Sequence, residues 1–169
     1  FYDPQEGSIR IDNQDIKRIS LASLRKNISL VSQDVILFDD TIKNNISYAR
    51  QNASDKDIEQ ACKFAAADEF IEKLPEKYNT FIGENGVRLS GGQKQRISIA
   101  RALYNNKNFI ILDEPSTFLD NKSKLVLLDT LKKLKGKYTV IIISHENIFD
   151  DFSNRIYYIK NKKLVEKKN

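Results

Sequence analysis

Two stretches of the chain, Phe109-Ile110-Ile111-Leu112 and Val140-Ile141-Ile142-Ile143, are apolar with no polar residue at alternate positions. A strand with one wet face alternates, so a strand that does not alternate is expected to be covered on both faces. Parallel sheets flanked by helices meet that condition. Between the two runs, Asn121 can cap a helix carrying Leu125, Leu128 and Leu131, which Gly136 ends. Strand, helix and strand in that order predict an α/β fold with a mainly parallel sheet. The 169 residues suffice for one domain whose core needs no disulfide or metal. A single cysteine, Cys62, excludes an internal disulfide.

The other elements follow from local signals. Residues 8–12 alternate, with Ile9 and Ile11 on one face, and Asp12-Asn13-Gln14 then turns the chain. Ser20 caps a short helix to about Arg25, Ile28–Val31 forms another strand, and Thr41 caps a short helix to about Ala49. Ser54 and Asp57 have capping-box spacing, ahead of a helix carrying Ile58, Ala61, Cys62 and Ala65 on one stripe. Cys62 on that stripe reads as a small buried hydrophobe, not a nucleophile. A helix near residues 68–74 stops at Pro75, and residues 75–89 read as loop. Ser90 opens a helix through about Leu103. Residues 155–159 and 163–166 form a closing hairpin about a tight turn at 160–162. The predicted organisation is an α/β core of residues 1–38 and 105–169, with a helical subdomain at 39–104.

The formal charge is +5, and much of the excess lies in Lys160, Lys162, Lys163, Lys167 and Lys168. Those lysines read as a solvated tail, with attraction to an anionic surface as the alternative. No aromatic interleaving supports nucleic-acid binding. No apolar run approaches the length of a membrane span. The sequence has no methionine and opens Phe1-Tyr2-Asp3-Pro4, two aromatics with nothing before them to pack on. A piece of a longer protein is therefore expected.

Two motifs carry chemistry. Phe109–Asp113 and Glu114 form an apolar strand that ends in two carboxylates, and ligands of α/β sheets bind beyond the carboxyl ends of strands. A strand-end Asp suits a nucleotide-bound Mg²⁺, which prefers hard oxygen ligands and keeps several waters. The second, Leu89-Ser90-Gly91-Gly92-Gln93, places two glycines at a helix start, where each costs ~1 kcal/mol relative to Ala. A helix N-terminus with free backbone N–H groups suits a phosphate.

Leu89-Ser90-Gly91-Gly92-Gln93 followed by Lys94-Gln95-Arg96-Ile97-Ser98-Ile99-Ala100-Arg101-Ala102-Leu103 resembles the signature motif of ATP-binding cassette (ABC) ATPases. Asp113-Glu114 resembles the Walker B pair, Val31-Ser32-Gln33-Asp34 the Q-loop, Ile143-Ser144-His145 the switch histidine, and residues 116–120 the D-loop. These elements stand in the family's order over nearly the whole chain. Residues 1–16, 33–48 and 83–86 look most like the fused exporters of drugs and lipids.

The resemblance implies a P-loop NTPase-like core whose first strand and P-loop are not in this chain, since no Gly-x-x-x-x-Gly-Lys-Ser/Thr occurs. It implies ATP and Mg²⁺ as ligands, with Asp113 and Gln33 at the metal and Glu114, His145 and Gln33 at the attacking water and γ-phosphate. Ser90, Gly91, Gly92 and Gln93 would bind the γ-phosphate across a head-to-tail dimer, and Asp120 would contact the opposite subunit. A transmembrane domain, fused upstream, would hold the domain at the cytoplasmic face of a membrane. No nucleic-acid partner is expected. Phe118 stands where the family usually has a small residue, and Glu146 where exporters usually have Arg. Two alternatives stay open: an ABC-type ATPase acting on nucleic acid or ribosomes, and a fragment inactive when isolated. The first lacks the sustained heptads that chromosome-directed relatives carry.

Overall fold

The structure is a computed structural model that describes residues 4–48, 50 and 54–167. The aromatic start at Phe1 and Tyr2, the helix end expected at Ala49, and Lys168 lie outside the described residues. A small hairpin opens the fold, β1 (Arg10–Ile11) against β2 (Gln14–Asp15). Its turn residues Asp12 and Asn13 both have positive φ, as a two-residue hairpin loop requires. Helix α1 (Leu21–Asn27) is capped by Ser20 and leads into β3 (Ile28–Val31).

A helical block follows. Its helices are α2 (Ile42–Ser47), α3 (Asp55–Phe64), α4 (Asp68–Ile71) and α5 (Gly91–Tyr104). Thr41 caps α2, and Ser54 with Asp57 forms the expected capping box on α3. Helix α4 is shorter than the 68–74 expected. Beyond Ile71 the turn tightens to bonds from Lys73 N–H to Phe70 O and from Leu74 N–H to Ile71 O. Pro75 disfavours the α conformation at the residue before it, which explains the early stop. The axis of the block is α5, whose Ile97, Ser98, Ile99, Ala100, Ala102 and Leu103 are all buried, so the helix is enclosed on every side. Cys62 is fully buried on α3, and burial raises its thiol pKa to about 12, in keeping with a core role.

Strand β4 (Phe109–Asp113), helix α6 (Asn121–Leu134) and strand β5 (Thr139–Ile143) complete a parallel sheet in the order β3-β4-β5. Two expectations need correction here. Asp120, not Asn121, caps α6: its Oδ1 accepts from Ser123 N–H at 2.7 Å. The buried stripe of α6 is Leu127, Thr130, Leu131 and Leu134, whereas Leu125 is exposed. The sheet also departs from the two-sided burial expected of it. Val31, Ile110 and Leu112 face the helices and are buried, while Leu30, Ile141 and Ile143 on the opposite face are 61%, 45% and 50% exposed. An uninterrupted apolar strand signals that both faces are apolar; it does not say that this segment of chain covers both.

The chain closes with a short helical turn over Asn147–Phe152 and an exposed hairpin, β6 (Tyr157–Lys160) against β7 (Lys163–Glu166). Its loop is Asn161-Lys162, both at positive φ. No helix among the described residues is long and apolar enough to cross a membrane.

Candidate functional site

Parallel pairing sets one edge of the sheet. Val31 lies opposite Leu112, Leu112 opposite Ile142, and Asp113 opposite Ile143. Gln33, Asp113, Glu114 and His145 therefore leave three adjacent strands at the same, carboxyl end. Glu114 N–H donates to Ile143 O at 2.9 Å, extending the ladder one residue past β4. Glu114 has φ +46°, the left-handed region, which costs a side-chain-bearing residue ~1–2 kcal/mol. In this conformation His145 Nδ1 lies 2.9 Å from Glu114 Oε2, and Thr117 Oγ1 donates to the same oxygen at 3.0 Å. Oε1 of Glu114 has no hydrogen-bond partner among the described residues.

Asp113 ends β4 half-buried, and its carboxylate accepts no hydrogen bond among the described residues. Gln33 is exposed two residues beyond β3. No group of three or more His, Cys, Asp or Glu side chains with metal-holding geometry occurs among the described residues. Hard oxygens are nevertheless available from Asp113 and Gln33. That set fits an ion held mainly by phosphate oxygens and waters, as Mg²⁺ usually is, and does not fit an all-protein cage.

The residues at the start of α5 do not join the carboxylates. Ser90 and Gln93 form a capping box: Ser90 N–H donates to Gln93 Oε1 at 2.9 Å, and Ser90 Oγ accepts from Gln93 N–H at 3.3 Å. The N–H groups of Gly91 and Gly92 have no acceptor among the described residues, as expected for the first helical positions. The two glycines lie against the turn that leads into α6. A Cβ on Gly92 would meet Ser123 Oγ at 2.6 Å, and one on Gly91 would meet Phe118 O at 3.2 Å. Contact within the chain thus supplies a reason for Gly92 that is independent of any phosphate. Asp120 sits exposed at the same place, its carboxyl held below the usual range by the Ser123 N–H and then by the Ser123 hydroxyl.

Glu146, the acidic residue after the histidine, has a partner that the sequence did not suggest. Lys124 Nζ on α6 lies 2.7 and 2.9 Å from its two carboxylate oxygens, and Glu146 N–H donates to Ser144 Oγ at 3.1 Å. The Lys124 hydrogen bond holds the Glu146 carboxyl below its ordinary value. Sequence reasoning missed Thr117, Ser123 and Lys124. Thr117 had a weak local signal, three residues beyond Glu114, but no spacing rule joins Lys124 to a residue 22 positions later. A cleft of about 340 Å³ between Lys43, Glu59, Glu76 and Tyr78 is lined by none of the candidate residues. The candidate site is an open edge, not a closed pocket.

Comparison with known proteins agrees with this architecture. The family model described as ABC transporter matches residues 1–117. The chain is 43% identical over 166 residues to ABC transporter B family member 2 of Dictyostelium discoideum, covering 98% of this chain and 12% of that protein. It is 45% identical over 166 residues to the ATP-dependent lipid A-core flippase of Legionella pneumophila (strain Paris), covering 98% of this chain and 28% of that protein. A bacterial Atm1-family ABC exporter, solved with ATP bound, superposes with a TM-score of 0.90 at 40% identity, over 98% of this chain and 29% of its own. The chain thus spans less than a third of the length of these relatives. Its mixed α/β fold with a parallel sheet is that of a P-loop NTPase-like core, and the chain belongs to the ABC transporter family.

Proposed function

We propose that this chain is part of the ATP-hydrolysing domain of an ABC exporter, at the cytoplasmic face of a membrane, driving transport through a transmembrane domain of the same protein or a partner. The observation that carries the proposal is the contact of His145 Nδ1 with Glu114 Oε2 at 2.9 Å, beside Asp113, at the carboxyl end of parallel strands. His145 Nδ1 and Thr117 Oγ1 both meet Oε2, which leaves Oε1 to accept a proton from a water. Asp113 and Gln33 would hold Mg²⁺ through water, and the ion would supply charge neutralisation for the phosphates. Gln33 and His145 would orient the water and the γ-phosphate. Catalysis is then positioning plus charge stabilisation.

Ser90, Gly91, Gly92 and Gln93 are assigned to the γ-phosphate bound by a second ATP-binding domain, in a head-to-tail dimer with Asp120 at the interface. The free N–H groups of Gly91 and Gly92, and their separation from Glu114, support that division. A site completed by a second domain also accounts for an open edge where a closed pocket would otherwise be expected. The phosphate cradle is assigned to the remainder of the full-length protein. Residues 39–104 are proposed as one subdomain and residues 1–38 with 105–169 as the other; the enclosed helix α5 supports the former.

The test is single-turnover hydrolysis of Mg·ATP by the full-length protein with Glu114→Gln. A positioned general base contributes about 10²–10⁴-fold, so hydrolysis should fall by that order while ATP still binds. Hydrolysis within a few-fold of the parent would exclude Glu114 as the base. The chain alone, with no P-loop sequence, should show no magnesium-dependent, saturable ATPase activity.

A further inference from the structure

We infer that Lys124 and Glu146 form a positioning pair that fixes the His145 loop onto helix α6, so that Glu114 is correctly held only while the pair is intact. The inference rests on the ATPase reading above and adds two residues to it, neither of which touches the proposed water or phosphate.

The geometry is a continuous chain of contacts. Asp120 caps α6, and Lys124 lies one turn further along, its N–H bonded to Asp120 O at 2.9 Å. From there the Lys124 ammonium reaches both oxygens of Glu146 at 2.7 and 2.9 Å. Glu146 is the neighbour of His145, and its own N–H is tied back to Ser144 Oγ. His145 in turn meets Glu114 Oε2. The segment carrying His145 has no strand or helix hydrogen bonds of its own between β5 and the turn at Asn147, so this ion pair and the His145–Glu114 contact are its side-chain anchors to the rest of the fold.

The pair is also better placed than an ordinary surface ion pair. The two side chains are 25% and 19% exposed, against 67% for His145. Below it lies Ser116, fully buried, whose hydroxyl has no well-formed partner. That hydroxyl already helps Lys124 to lower the Glu146 carboxyl, so without Lys124 it would be the carboxylate's remaining side-chain donor. Loss of Lys124 would let Glu146 turn towards it and carry the His145 backbone with it. Displacing a group about 1 Å from its working geometry can cost as much as 10²-fold in rate. The effect on substrate binding should be small, because neither residue is among those assigned to nucleotide or metal.

The pair also joins the two halves of the site. Asp120 and the Gly92–Ser123 contact stand at the start of α6, Glu114 and His145 at the sheet edge, and Lys124–Glu146 is the side-chain bridge between them. A movement of α6 at its N-terminus would be transmitted to His145 through this bridge.

The experiment uses the full-length protein and compares Lys124→Met, Lys124→Arg, Glu146→Gln and the double Lys124→Met/Glu146→Gln with the parent and with Glu114→Gln. Mg·ATP affinity, single-turnover hydrolysis and the unfolding transition are measured for each. The expected result is a fall of about tenfold in hydrolysis for Lys124→Met and for Glu146→Gln, with ATP affinity within about twofold. The double variant should be no worse than either single one, because the two act as a unit. Lys124→Arg, which keeps the charge, should restore most of the rate. Hydrolysis that depends on Glu114 but is unchanged in Lys124→Met overturns the inference and leaves the ATPase reading standing. A parallel fall of affinity, rate and unfolding transition in Lys124→Met, not restored by Arg, also overturns it, since that is the signature of lost folding. Hydrolysis indifferent to Glu114→Gln removes the ATPase reading, and the inference with it.

Discussion

The sheet edge and the start of α5 carry the same sort of residues, polar groups at the end of a regular element, yet they stand in opposite conditions. At the sheet edge, Glu114, His145 and Thr117 come from two strand ends and bond to one another. At the start of α5, the side chains of Ser90 and Gln93 bond, among the described residues, only to each other's backbone, and the glycines rest on Phe118 and Ser123. The first group is assembled by non-local pairing of β4 with β5 and holds its working parts together within one chain. The second is a local cap whose two free N–H groups have no acceptor among the described residues. A set of residues can thus be brought together by the fold, or be presented by it to something else, and only the hydrogen-bond inventory separates the two.

The largest effect should come from breaking that presentation. Ser90→Arg in the full-length protein should abolish ATP occlusion while ATP still binds. Mixed with a variant lacking the P-loop lysine, it should regain one working site per dimer if the α5 start acts across an interface. A mixture that occludes no nucleotide would place both groups in the same subunit's site. Gly92→Ala comes next. Its Cβ would sit 2.6 Å from Ser123 Oγ, and overpacking of this kind costs about 1–3 kcal/mol. Thermal unfolding should show the loss, and Ser123→Gly should relieve much of it. No relief would mean that the glycine is needed for a reason outside the chain.

Ser90→Ala should cost about 1 kcal/mol, the usual value of a cap, seen as a lower unfolding midpoint; Ser90→Thr should recover most of it. The smallest effect concerns pH. Lys124 lowers the Glu146 carboxyl in the folded state, so the pair's stabilisation is fully present above the unfolded glutamate value of about 4.3 and is lost as pH falls through the lower folded value. The stability difference between parent and Lys124→Met should therefore narrow as pH is lowered below about 4. A difference that is constant between pH 7 and 3 would show that the lysine stabilises through its stem and not through its charge.

The local signals in the sequence were reliable where the physics is local. Ser20, Thr41, Ser54 and Ser90 each cap the helix expected of them, because a cap is settled within four residues. Gly136, at φ +79°, lies just beyond the end of α6, as expected. The exception lies between two neighbours: Asp120 and Asn121 are both good caps, and the structure uses Asp120.

What the sequence determined by itself is the kind and order of the elements, the parallel sheet, and the carboxylates Asp113 and Glu114 at a strand end, since each depends on periodicity or on residue type next to a strand; Gln33 and His145 are singled out only through the resemblance to ABC ATPases. The tertiary structure alone decided which of them touch. It turned Leu127 and Leu134 inward and Leu125 outward on α6, and left one face of the sheet open. It also set Lys124 against Glu146 across 22 residues of chain. The reason is physical: a side chain's face is fixed by what packs on it, and an ion pair by where two backbones pass, and neither is written in the spacing of neighbouring residues.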